Sequence, residues 1–340
     1  MEPSAAATPS VLSFGEALVG YGTVEDNLRV ATSFTRFPGG ADLNVAVGLT
    51  RLGTRATWAS VLGDDAHGDY LIDAVAELGV GLAVRRATGP TALMFKAGGQ
   101  DADPEVLQVR RATAFAEQAG TVLTTELLSF AGLTHLHLTG ITLGISPESR
   151  AAALTLLEAA RSHGATVSFD PNLRLNLWPD RDEMRTIVNA VAAQATIVLP
   201  GLGEGELLTG QTDPAAIADF YLEAGVEQVV LKIGADGARA WDGSETVTSR
   251  PYRVVPIDTV GAGDGFAAGY LDAFLAGQDL QDCVDQAAAV GALVTTRRGD
   301  LAAMPTRAEL DAFLAPRVGQ RQSMQPSAGL REPGPGRLTG

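Results

Sequence analysis

The sequence predicts an α/β protein built on a mostly parallel sheet covered by helices, with a second, smaller sheet outside it. Short apolar runs typical of buried strands alternate with longer stretches of helical periodicity. This alternation indicates parallel strands joined by helices, because a parallel pair needs a crossover long enough for a helix. Two regions, 17–37 and 82–114, break the alternation. We expect these regions to form the smaller sheet.

Six apolar runs are the predicted strands of the main sheet. They are residues 11–14, 56–62, 133–139, 166–169, 196–199 and 228–232. The spacing of apolar side chains predicts a helix that begins after Gly40 and ends at Gly53, and another over 151–163. Within the second exceptional region, 82–114, residues 91–96 and 105–111 have the character of strands without a helix between them.

Composition and charge limit the classes of function. The 340 residues have room for one large α/β domain or two small ones, and 46% hydrophobic content can supply a full core. The net charge of −15 argues against nonspecific binding to nucleic acid or to an anionic membrane, since both need a basic face. An anionic ligand must then be met by local positive groups.

Cysteine use and the two ends of the chain indicate the compartment. A single cysteine, Cys283, excludes an internal disulfide framework and suits a reducing cytosol. The first residues contain no apolar signal segment, and no stretch of membrane-spanning length is apolar throughout. We therefore interpret the chain as a soluble cytoplasmic protein. Residues 1–10 and 317–340 are rich in Gly, Pro, Ser and Gln, and we expect disordered tails there.

The segment 258–266, DTVGAGDGF, carries the strongest chemical signal. Residues 252–257 before it alternate like a strand, and apolar residues from Phe266 onward recur at helical spacing until Gly277. The predicted local order is strand, glycine-rich turn and helix. Such a turn lets a ligand approach the backbone closely.

The residues of this turn predict an anion site beside a base. At the start of a helix the amides of Gly261, Ala262 and Gly263 would be unpaired, and with the helix dipole they would hold an anion. Asp264 cannot serve as a phosphate ligand, because like charges repel, but it can accept a proton from the group that attacks the phosphate. This arrangement predicts phosphoryl transfer to a hydroxyl. The alternative is a tight turn in which Asp264 is an ordinary first-turn carboxylate.

Two segments resemble the signatures of one enzyme family. The stretch DTVGAGDGFAAGY is similar to the C-terminal signature of the PfkB or ribokinase-like carbohydrate kinases, and FPGGADLNVA at 37–46 is similar to their N-terminal signature. The resemblance covers most of 11–314. It implies a ribokinase-like three-layer α/β/α domain over 11–315, with a small β lid from 17–37 and 82–114 that closes over the sugar and often supports dimerisation.

The resemblance also implies roles for individual residues. Asp264 would be the base and the preceding amides the anion hole, while Gly39, Gly40 and Asn44 would contact the sugar hydroxyls. It implies ATP and Mg²⁺ as cofactors, a small-molecule sugar or sugar acid as partner, and a homodimer or higher homo-oligomer.

A third segment bears on the acceptor. Residues 168–178 place polar side chains just past a predicted strand, where open α/β sheets bind ligands. They are similar to the DPNxR segment of 2-keto-3-deoxygluconate kinases and fructokinases, which implies that Asn172 and Arg174 bind substrate. Arg110 stands where the former carry a lid arginine. Two guanidinium groups in one pocket suit a carboxylate and favour a sugar acid over fructose or ribose. The alternatives are a proline turn at 170–174 and a solvated strand edge at Arg110.

The nucleotide site is less sharply marked. No GxxxxGK[ST] motif occurs, which excludes a P-loop mechanism. Residues 230–237 are similar to the strand and turn beneath the ATP phosphates in the family, which implies that Lys232, Gly234 and Gly237 bind the nucleotide together with Gly263; a glycine hairpin turn is the alternative. Residues 288–305 resemble the segment that walls the adenine.

The resemblance implies a position for the metal, but this sequence also differs from the family pattern at several positions. Mg²⁺ would be held mostly through water, near Glu204. Four residues differ from the family pattern: Gly201, Ala288, Met94 and Gln108. Gly201 stands where an asparagine of the metal motif is expected. Met94 and Gln108 stand where 2-keto-3-deoxygluconate kinases carry lid tyrosines.

The function predicted from the sequence is ATP-dependent phosphorylation of the terminal hydroxyl of a sugar or sugar acid, in the first place 2-keto-3-deoxygluconate. A fructokinase or another PfkB sugar kinase is the first alternative. A non-catalytic sugar- or nucleotide-binding protein is a second, and a nicotinamide-dependent oxidoreductase, which would need a further strand after the glycine turn, is a third. His135 and His137 alternate on one strand at a spacing that could bind a metal, but core histidines are the favoured interpretation.

Overall fold

A computed structural model describes residues 10–98, 105–129, 131–249 and 252–321 of the protein. The strands in these ranges are β1 (Ser10–Phe14), β2 (Leu18–Gly22), β3 (Thr35–Gly39), β4 (Arg55–Gly63), β5 (Gly81–Ala87), β6 (Ala92–Ala97), β7 (Glu105–Val109), β8 (His135–Thr139), β9 (Thr166–Asp170), β10 (Ile197–Val198), β11 (Gln228–Lys232), β12 (Ala238–Trp241) and β13 (Thr246–Thr248).

The helices alternate with these strands over most of the chain. They are α1 (Ala41–Leu52), α2 (Ala66–Ala76), α3 (Ala114–Gln118), α4 (Thr125–Leu128), α5 (Gly140–Ile145), α6 (Pro147–Ser162), α7 (Arg181–Ala192), α8 (Leu202–Thr209), α9 (Pro214–Glu223), α10 (Ala262–Leu275), α11 (Leu280–Val294), α12 (Asp300–Ala303) and α13 (Arg307–Arg321).

The described strands form one large and one small sheet. The order in the large sheet is β13-β12-β11-β10-β9-β8-β1-β4-β5, and the seven strands from β11 to β5 are parallel. The edge strands β12 and β13 are antiparallel to their neighbours. The small sheet has the order β3-β2-β6-β7, with β2 and β6 parallel and the outer pairs antiparallel. This is the α/β architecture predicted from the sequence.

Helices cover both faces of the large sheet, as a mostly parallel sheet requires. Neighbouring residues of a strand point to opposite faces, and Val11 and Leu12 accordingly belong to different cores. Val11 packs in the core that contains Leu49 of α1 and Leu271 of α10. Leu12 packs in the core that contains Leu156 of α6. The result is a three-layer α/β/α domain.

The six predicted strands of the large sheet are confirmed, and the predicted helices are confirmed with small shifts at their ends. Helix α1 ends at Leu52 and is capped by Gly53, whose φ of 103° is left-handed. Helix α6 begins earlier than predicted, because Ser146 accepts the amide of Ser149 as its N-cap and Pro147 occupies the first helical position.

The predicted strand at 252–257 is wrong. These residues are irregular, and Val255 and Ile257 are exposed. The amide of Ile257 donates to the carbonyl of Thr295, just past α11, rather than to a neighbouring strand. Pro256 has no amide to offer a ladder. The alternation in the sequence therefore reflects an extended segment laid across the end of α11.

Two other boundaries differ from expectation. Within 82–114, residues up to Ala87 belong to β5 and pair with β4 in the large sheet, so only β6 and β7 join the small sheet. At the C-terminus, α13 continues to Arg321, into the stretch expected to be a tail. Residues 1–9 and 322–340, which contain the rest of the expected tails, lie outside the described residues.

Membrane-spanning helices and clusters of metal-binding side chains are absent from the described ranges. None of the helices there combines the length and apolar character needed to cross a membrane. His135 and His137 are buried and both contact the hydroxyl of Ser168, and no group of three or more His, Cys, Asp or Glu in those ranges could hold a metal ion. The two histidines are core residues.

Candidate active site

A cavity of about 300 Å³ opens where β9 and β11 end, between the large sheet, the start of α10 and the small sheet. Its volume lies at the lower end of the range for small-molecule sites. The residues around it come from all three parts of the fold: Leu18, Gly40, Ala41, Asn44, Met94, Gln108, Arg110, Ile141, Asp170, Asn172, Arg174, Glu204, Lys232, Thr259, Val260, Gly261, Gly263 and Asp264.

Asp264 lies in the first turn of α10, 8% exposed and facing this cavity. Its carboxylate accepts hydrogen bonds from two side-chain amides: Asn44 Nδ2 at 2.7 Å and Asn172 Nδ2 at 3.3 Å. Asn44 is on α1, which packs beside α10, although it is 220 residues away in the chain. The carboxylate is therefore held in one orientation at the wall of the cavity.

Asn44 reaches Asp264 because of a glycine before α1. Gly40 has a φ of 148°, and a Cβ there would lie 2.5 Å from the carbonyl oxygen of Glu16. Only glycine fits this position. With Gly40 before α1, the backbone amide of Asn44 donates to the carbonyl of Gly40 at 2.7 Å. The side-chain amide of Asn44 is directed at Asp264.

The turn before α10 has the backbone form expected of an anion site, with one correction. Gly261 is left-handed, with φ 79° and ψ −5°, and forms the N-cap of α10 without a side-chain cap. The amide of Ala262 is not free, because it donates to the carbonyl of Thr259 at 3.3 Å. The expectation of three unpaired amides is therefore wrong for Ala262. Gly261 and Gly263 both border the cavity.

Lys232 ends β11 and forms a buried ion pair. Its Nζ lies 2.5 Å from Oδ2 of Asp170, the last residue of β9. Burial acts to lower the pKa of Lys232, but the carboxylates of Asp170, Glu204 and Asp264 together raise it above its usual value. The lysine is thus kept charged at the floor of the cavity.

Glu204 lies at the start of α8 and binds backbone amides. Its Oε2 accepts the amide of Gly201 at 2.8 Å, and its Oε1 accepts the amide of Leu173 at 2.6 Å. Burial raises the pKa of Glu204, and the nearby charge of Asp170 adds to this rise. Gly201, which replaces the expected asparagine, serves as the N-cap of α8.

The small sheet supplies a different kind of wall. Leu18, Met94 and Gln108 face the cavity from β2, β6 and β7, and Met94 and Gln108 are direct partners in the sheet. Gln108 Nε2 approaches Met94 Sδ at 3.7 Å, a weak contact that leaves the amide able to turn toward a ligand.

Arg110 follows β7 and is paired with the carboxylate of Glu16, which was not predicted as a site residue. Its Nε lies 3.1 Å from Oε2 of Glu16, and both side chains are almost fully buried. Apart from this ion pair, Nη1 of Arg110 and both oxygens of Glu16 have no hydrogen-bond partner among the described residues. Burial raises the pKa of Glu16 to about 7, against the attraction of Arg110. Glu16 lies just past the predicted strand 11–14, a position that could have marked it as a site residue.

Of the other predicted residues, Arg174 borders the cavity and the three glycines do not. Arg174 borders the cavity with an exposed side chain whose Nη1 donates to the carbonyl of Leu173. Gly39 ends β3 and does not border the cavity. Gly234 and Gly237 also lie away from it, in the turn that joins the antiparallel strands β11 and β12.

Asp42 is a second buried carboxylate near the centre that was not predicted as a site residue. Its Oδ2 accepts the hydroxyl of Thr139 at 2.9 Å, while its Oδ1 has no hydrogen-bond partner in the part of the chain that the structure describes. Burial raises its pKa well above the usual range, and the charge of Asp264 contributes. The raised pKa favours the protonated form of Asp42.

Comparison with known sequences places the chain among sugar kinases. The sequence profile described as pfkB family carbohydrate kinase matches residues 8–307. A 2-dehydro-3-deoxygluconokinase from Bacillus subtilis (strain 168) is 37% identical over 309 residues, which is 89% of this chain and 95% of that protein. Fructokinase-1 from Zea mays is 33% identical over 319 residues, which is 90% of this chain and 98% of that protein.

Comparison with solved structures agrees with the sequence comparison. An E. coli protein provisionally described as ribokinase II, in complex with ATP and Mg²⁺, matches with a TM-score of 0.84 at 26% identity. The match covers 91% of this chain and 99% of that chain. The fold of this chain is therefore ribokinase-like over nearly its whole length.

Proposed function

The chain belongs to the pfkB family of carbohydrate kinases, and from that membership we propose that it transfers the γ-phosphoryl group of ATP to the terminal hydroxyl of 2-keto-3-deoxygluconate. The observation that carries the catalytic part is the carboxylate of Asp264, held by Asn44 and Asn172 at the wall of a cavity and at the start of a helix. A carboxylate placed there can accept a proton next to an anion held by the helix terminus.

The proposed reaction is an in-line displacement. Asp264 accepts the proton of the acceptor hydroxyl while that oxygen forms a bond to the γ-phosphorus, and the bond from the γ-phosphorus to the β,γ-bridging oxygen breaks to release ADP. The amides of Asn44 and Asn172 keep the Asp264 carboxylate turned toward the acceptor. Positioning of this kind supplies much of the rate gain in phosphoryl transfer.

Charge on the transferring group is stabilised by the turn before α10. The amides of Gly261 and Gly263, at the positive end of the helix dipole, meet the phosphoryl oxygens. Ala262 contributes through the backbone of the turn, since its own amide is engaged with Thr259. Lys232 adds a fixed positive charge on the same cavity, and Gly234 and Gly237 shape the turn that follows its strand.

Mg²⁺ is the proposed metal, and the residues of the cavity suit it. The carboxylates of Asp170 and Glu204 border the cavity, and burial together with the charge of Asp170 raises the pKa of Glu204, a situation that a nearby cation would relieve. The Glu204 oxygens already accept backbone amides, so Glu204 would hold the ion through water, as Mg²⁺ prefers. The ion would offset the charge of the ATP phosphates.

The choice of a sugar acid rests on two arginines. Arg110 and Arg174 border the same cavity, and Nη1 of Arg110 is buried without a hydrogen-bond partner among the residues that the structure describes. A carboxylate of the acceptor would satisfy that group and be held by a charge-assisted bond. The similarity to a 2-dehydro-3-deoxygluconokinase supports the same acceptor. Gly40, with Gly39 beside it in the turn, would place the sugar hydroxyls against Asn44.

Fructokinase is the second candidate, and one observation favours it. Arg110 already has Glu16 as a partner at 3.1 Å, which leaves Arg174 as the other guanidinium on the cavity. A neutral sugar would require no further counterion. The similarity to Fructokinase-1 of Zea mays is consistent with this alternative.

We also propose that the chain forms a homodimer or higher homo-oligomer through the small sheet. Leu107 and Val109 of the edge strand β7 are exposed, and alternate residues of a strand lie on one face. An exposed apolar strand is a common contact surface. Light scattering on the wild type and on a Leu107→Glu, Val109→Glu variant tests this, since a monomeric wild type would contradict it.

An acceptor panel tests the proposed function. Purified enzyme with ATP and Mg²⁺ is assayed for ADP formation with 2-keto-3-deoxygluconate, gluconate, fructose and ribose, and the position of the phosphate on each product is read by NMR. We expect the highest kcat/KM with 2-keto-3-deoxygluconate and a phosphate on its terminal oxygen. A preference for fructose would establish the fructokinase alternative, and no transfer to any acceptor would contradict the proposal.

A further inference from the structure

Lys96 connects the small sheet to the loop that leads into α10. It lies in β6, and its Nζ is 3.0 Å from both oxygens of Asp258. The two residues are 162 positions apart in the chain, and their side chains are only 16% and 20% exposed. Lysine is scarce here: the chain contains only Lys96 and Lys232.

Asp258 shapes the turn that opens α10. Its Oδ1 accepts the amide of Val260 at 3.1 Å, a bond that folds the backbone just before Gly261. The amides of Ile257 and Asp258 both donate to the carbonyl of Thr295. The loop is thus held from the α11 side by backbone bonds, and from the side of the small sheet by Lys96.

The strand that carries Lys96 also carries a wall of the acceptor site. Met94, two residues earlier in β6, faces the cavity, and its partner in β7 is Gln108. The carbonyl of Lys96 accepts the amide of Thr23, which ties β6 to the end of β2. A shift of β6 over the acceptor would therefore move the ammonium group that orients Asp258.

We propose that Lys96 is a positioning residue for phosphoryl transfer. Through its ion pair with Asp258, Lys96 couples the placement of the small sheet over the acceptor to the geometry of the turn that binds the transferring group. The proposal rests on the phosphoryl transfer proposed above but not on the identity of the acceptor. The ion pair holds the Asp258 carboxylate, the carboxylate holds the Val260 amide, and the turn places Gly261 and Gly263.

The position of the pair distinguishes it from an ordinary surface salt bridge. Exposed pairs contribute little, because solvent screens them and long side chains lose freedom. Here one ammonium group contacts both oxygens of a carboxylate that is itself engaged with the backbone. Loss of the ammonium frees the carboxylate to rotate, and displacement of an anion-hole donor by a fraction of an ångström lowers the rate more than it lowers affinity.

The first test is Lys96→Met, assayed with whichever acceptor of the panel is used best. We expect kcat to fall about 10- to 100-fold, with the KM values for ATP and acceptor changed by less than about threefold. Arg29→Met is the matched control, because it removes an exposed cation near the small sheet that forms no ion pair within the described ranges. It should leave kcat unchanged.

The second test restores the ammonium chemically. Lys96→Cys is treated with 2-bromoethylamine, which rebuilds a lysine analogue, or with iodoacetamide, which adds a neutral group of similar size. Cys283 is the one native cysteine and is buried, so the new thiol is the reactive one. We expect aminoethylation to recover most of kcat and carbamidomethylation to recover none.

A double-mutant cycle locates the effect. Asp258→Asn should lower kcat about as much as Lys96→Met, and the double variant should be no slower than either single variant, because both changes break one connection. Equal melting temperatures show that the variants fold. The proposal is overturned if Lys96→Met raises KM with kcat intact, if the two effects multiply, or if the aminoethylated Lys96→Cys variant stays as slow as the carbamidomethylated one. Absence of transfer in the wild type would instead contradict the proposed function.

Discussion

Two walls of the same cavity are built in different ways. The wall formed by the large sheet and α10 is a network of charges and amides, in which Lys232 pairs with Asp170 while Asn44 and Asn172 hold Asp264. The wall formed by the small sheet presents Leu18, Met94 and Gln108, with a weak contact between the last two. One wall has its groups fixed by their neighbours, and the other leaves them free to meet a ligand.

This difference assigns different tasks to the two walls. Chemistry requires groups that are already oriented when the substrate arrives, as they are around Asp264. Selection among substrates requires groups whose partners are supplied by the substrate, as for Gln108 and Nη1 of Arg110. We infer that changes in the first wall lower turnover for every acceptor, whereas changes in the second alter the preference among acceptors.

The largest effect is expected from Asp264→Asn. Loss of the base should lower kcat about 10²- to 10⁴-fold, because the amide cannot accept the hydroxyl proton. ATP affinity, measured by calorimetry, should change by less than about threefold. Turnover near that of the wild type would remove Asp264 from the role of base.

The next largest effect is expected from Arg110→Met. A sugar acid loses a buried charge partner, so its kcat/KM should fall about 30- to 100-fold, while a neutral sugar should lose less than about fivefold. The neighbouring Arg111 is exposed, and Arg111→Met is the matched control. Equal losses for both acceptors would place Arg110 in the structure of the small sheet rather than in selection.

A smaller effect is expected on stability, and it depends on pH. The folded protein retains a proton on Glu16 up to about pH 7, whereas the unfolded chain releases it near the ordinary pKa of 4.5. The contribution of Glu16 to the free energy of unfolding is therefore fully present below pH 4.5 and is lost as the pH rises to about 7, a change of about 3 kcal/mol.

Glu16→Gln isolates this contribution. Burial lowers the pKa of His135 and His137 to about 3, so these residues make the protein more stable as the pH rises, which opposes the effect of Glu16. The difference between wild type and variant cancels such terms. Urea unfolding at about pH 5 and about pH 7.5 should show the variant gaining stability relative to wild type at the higher pH, and a constant difference would contradict the raised pKa of Glu16.

The smallest effect is expected from Gln108→Leu. Loss of one hydrogen bond to an acceptor hydroxyl should raise KM about five- to tenfold and leave kcat unchanged. A fall in kcat without a change in KM, measured with the best acceptor, would place Gln108 with the catalytic wall.

Much of the large-sheet wall could be predicted from the sequence, for physical reasons. Its strands are buried on both faces and therefore appear as apolar runs, and the turn at Gly261 needs a left-handed residue that glycine supplies. The strands that were missed, β5, β12 and β13, lie at or next to the sheet edges, where polar residues such as Arg85 and Arg86 interrupt the apolar pattern.

What could not be predicted are contacts between distant segments. Nothing local pairs Glu16 with Arg110 or Lys96 with Asp258, because an ion pair depends on where the fold brings two side chains. The incorrect prediction of a strand at 252–257 has the same cause, a contact with a distant segment. Its alternation is real, but the partner of the Ile257 amide is the carbonyl of Thr295 at the end of a helix.

The most direct test of the division between the walls is the ratio of kcat/KM for 2-keto-3-deoxygluconate to kcat/KM for fructose, measured in the wild type, Asp264→Asn and Arg110→Met. The account predicts that Asp264→Asn lowers both values and keeps the ratio within about threefold of wild type, whereas Arg110→Met lowers the ratio at least about tenfold. A ratio that shifts as much in Asp264→Asn as in Arg110→Met would contradict it.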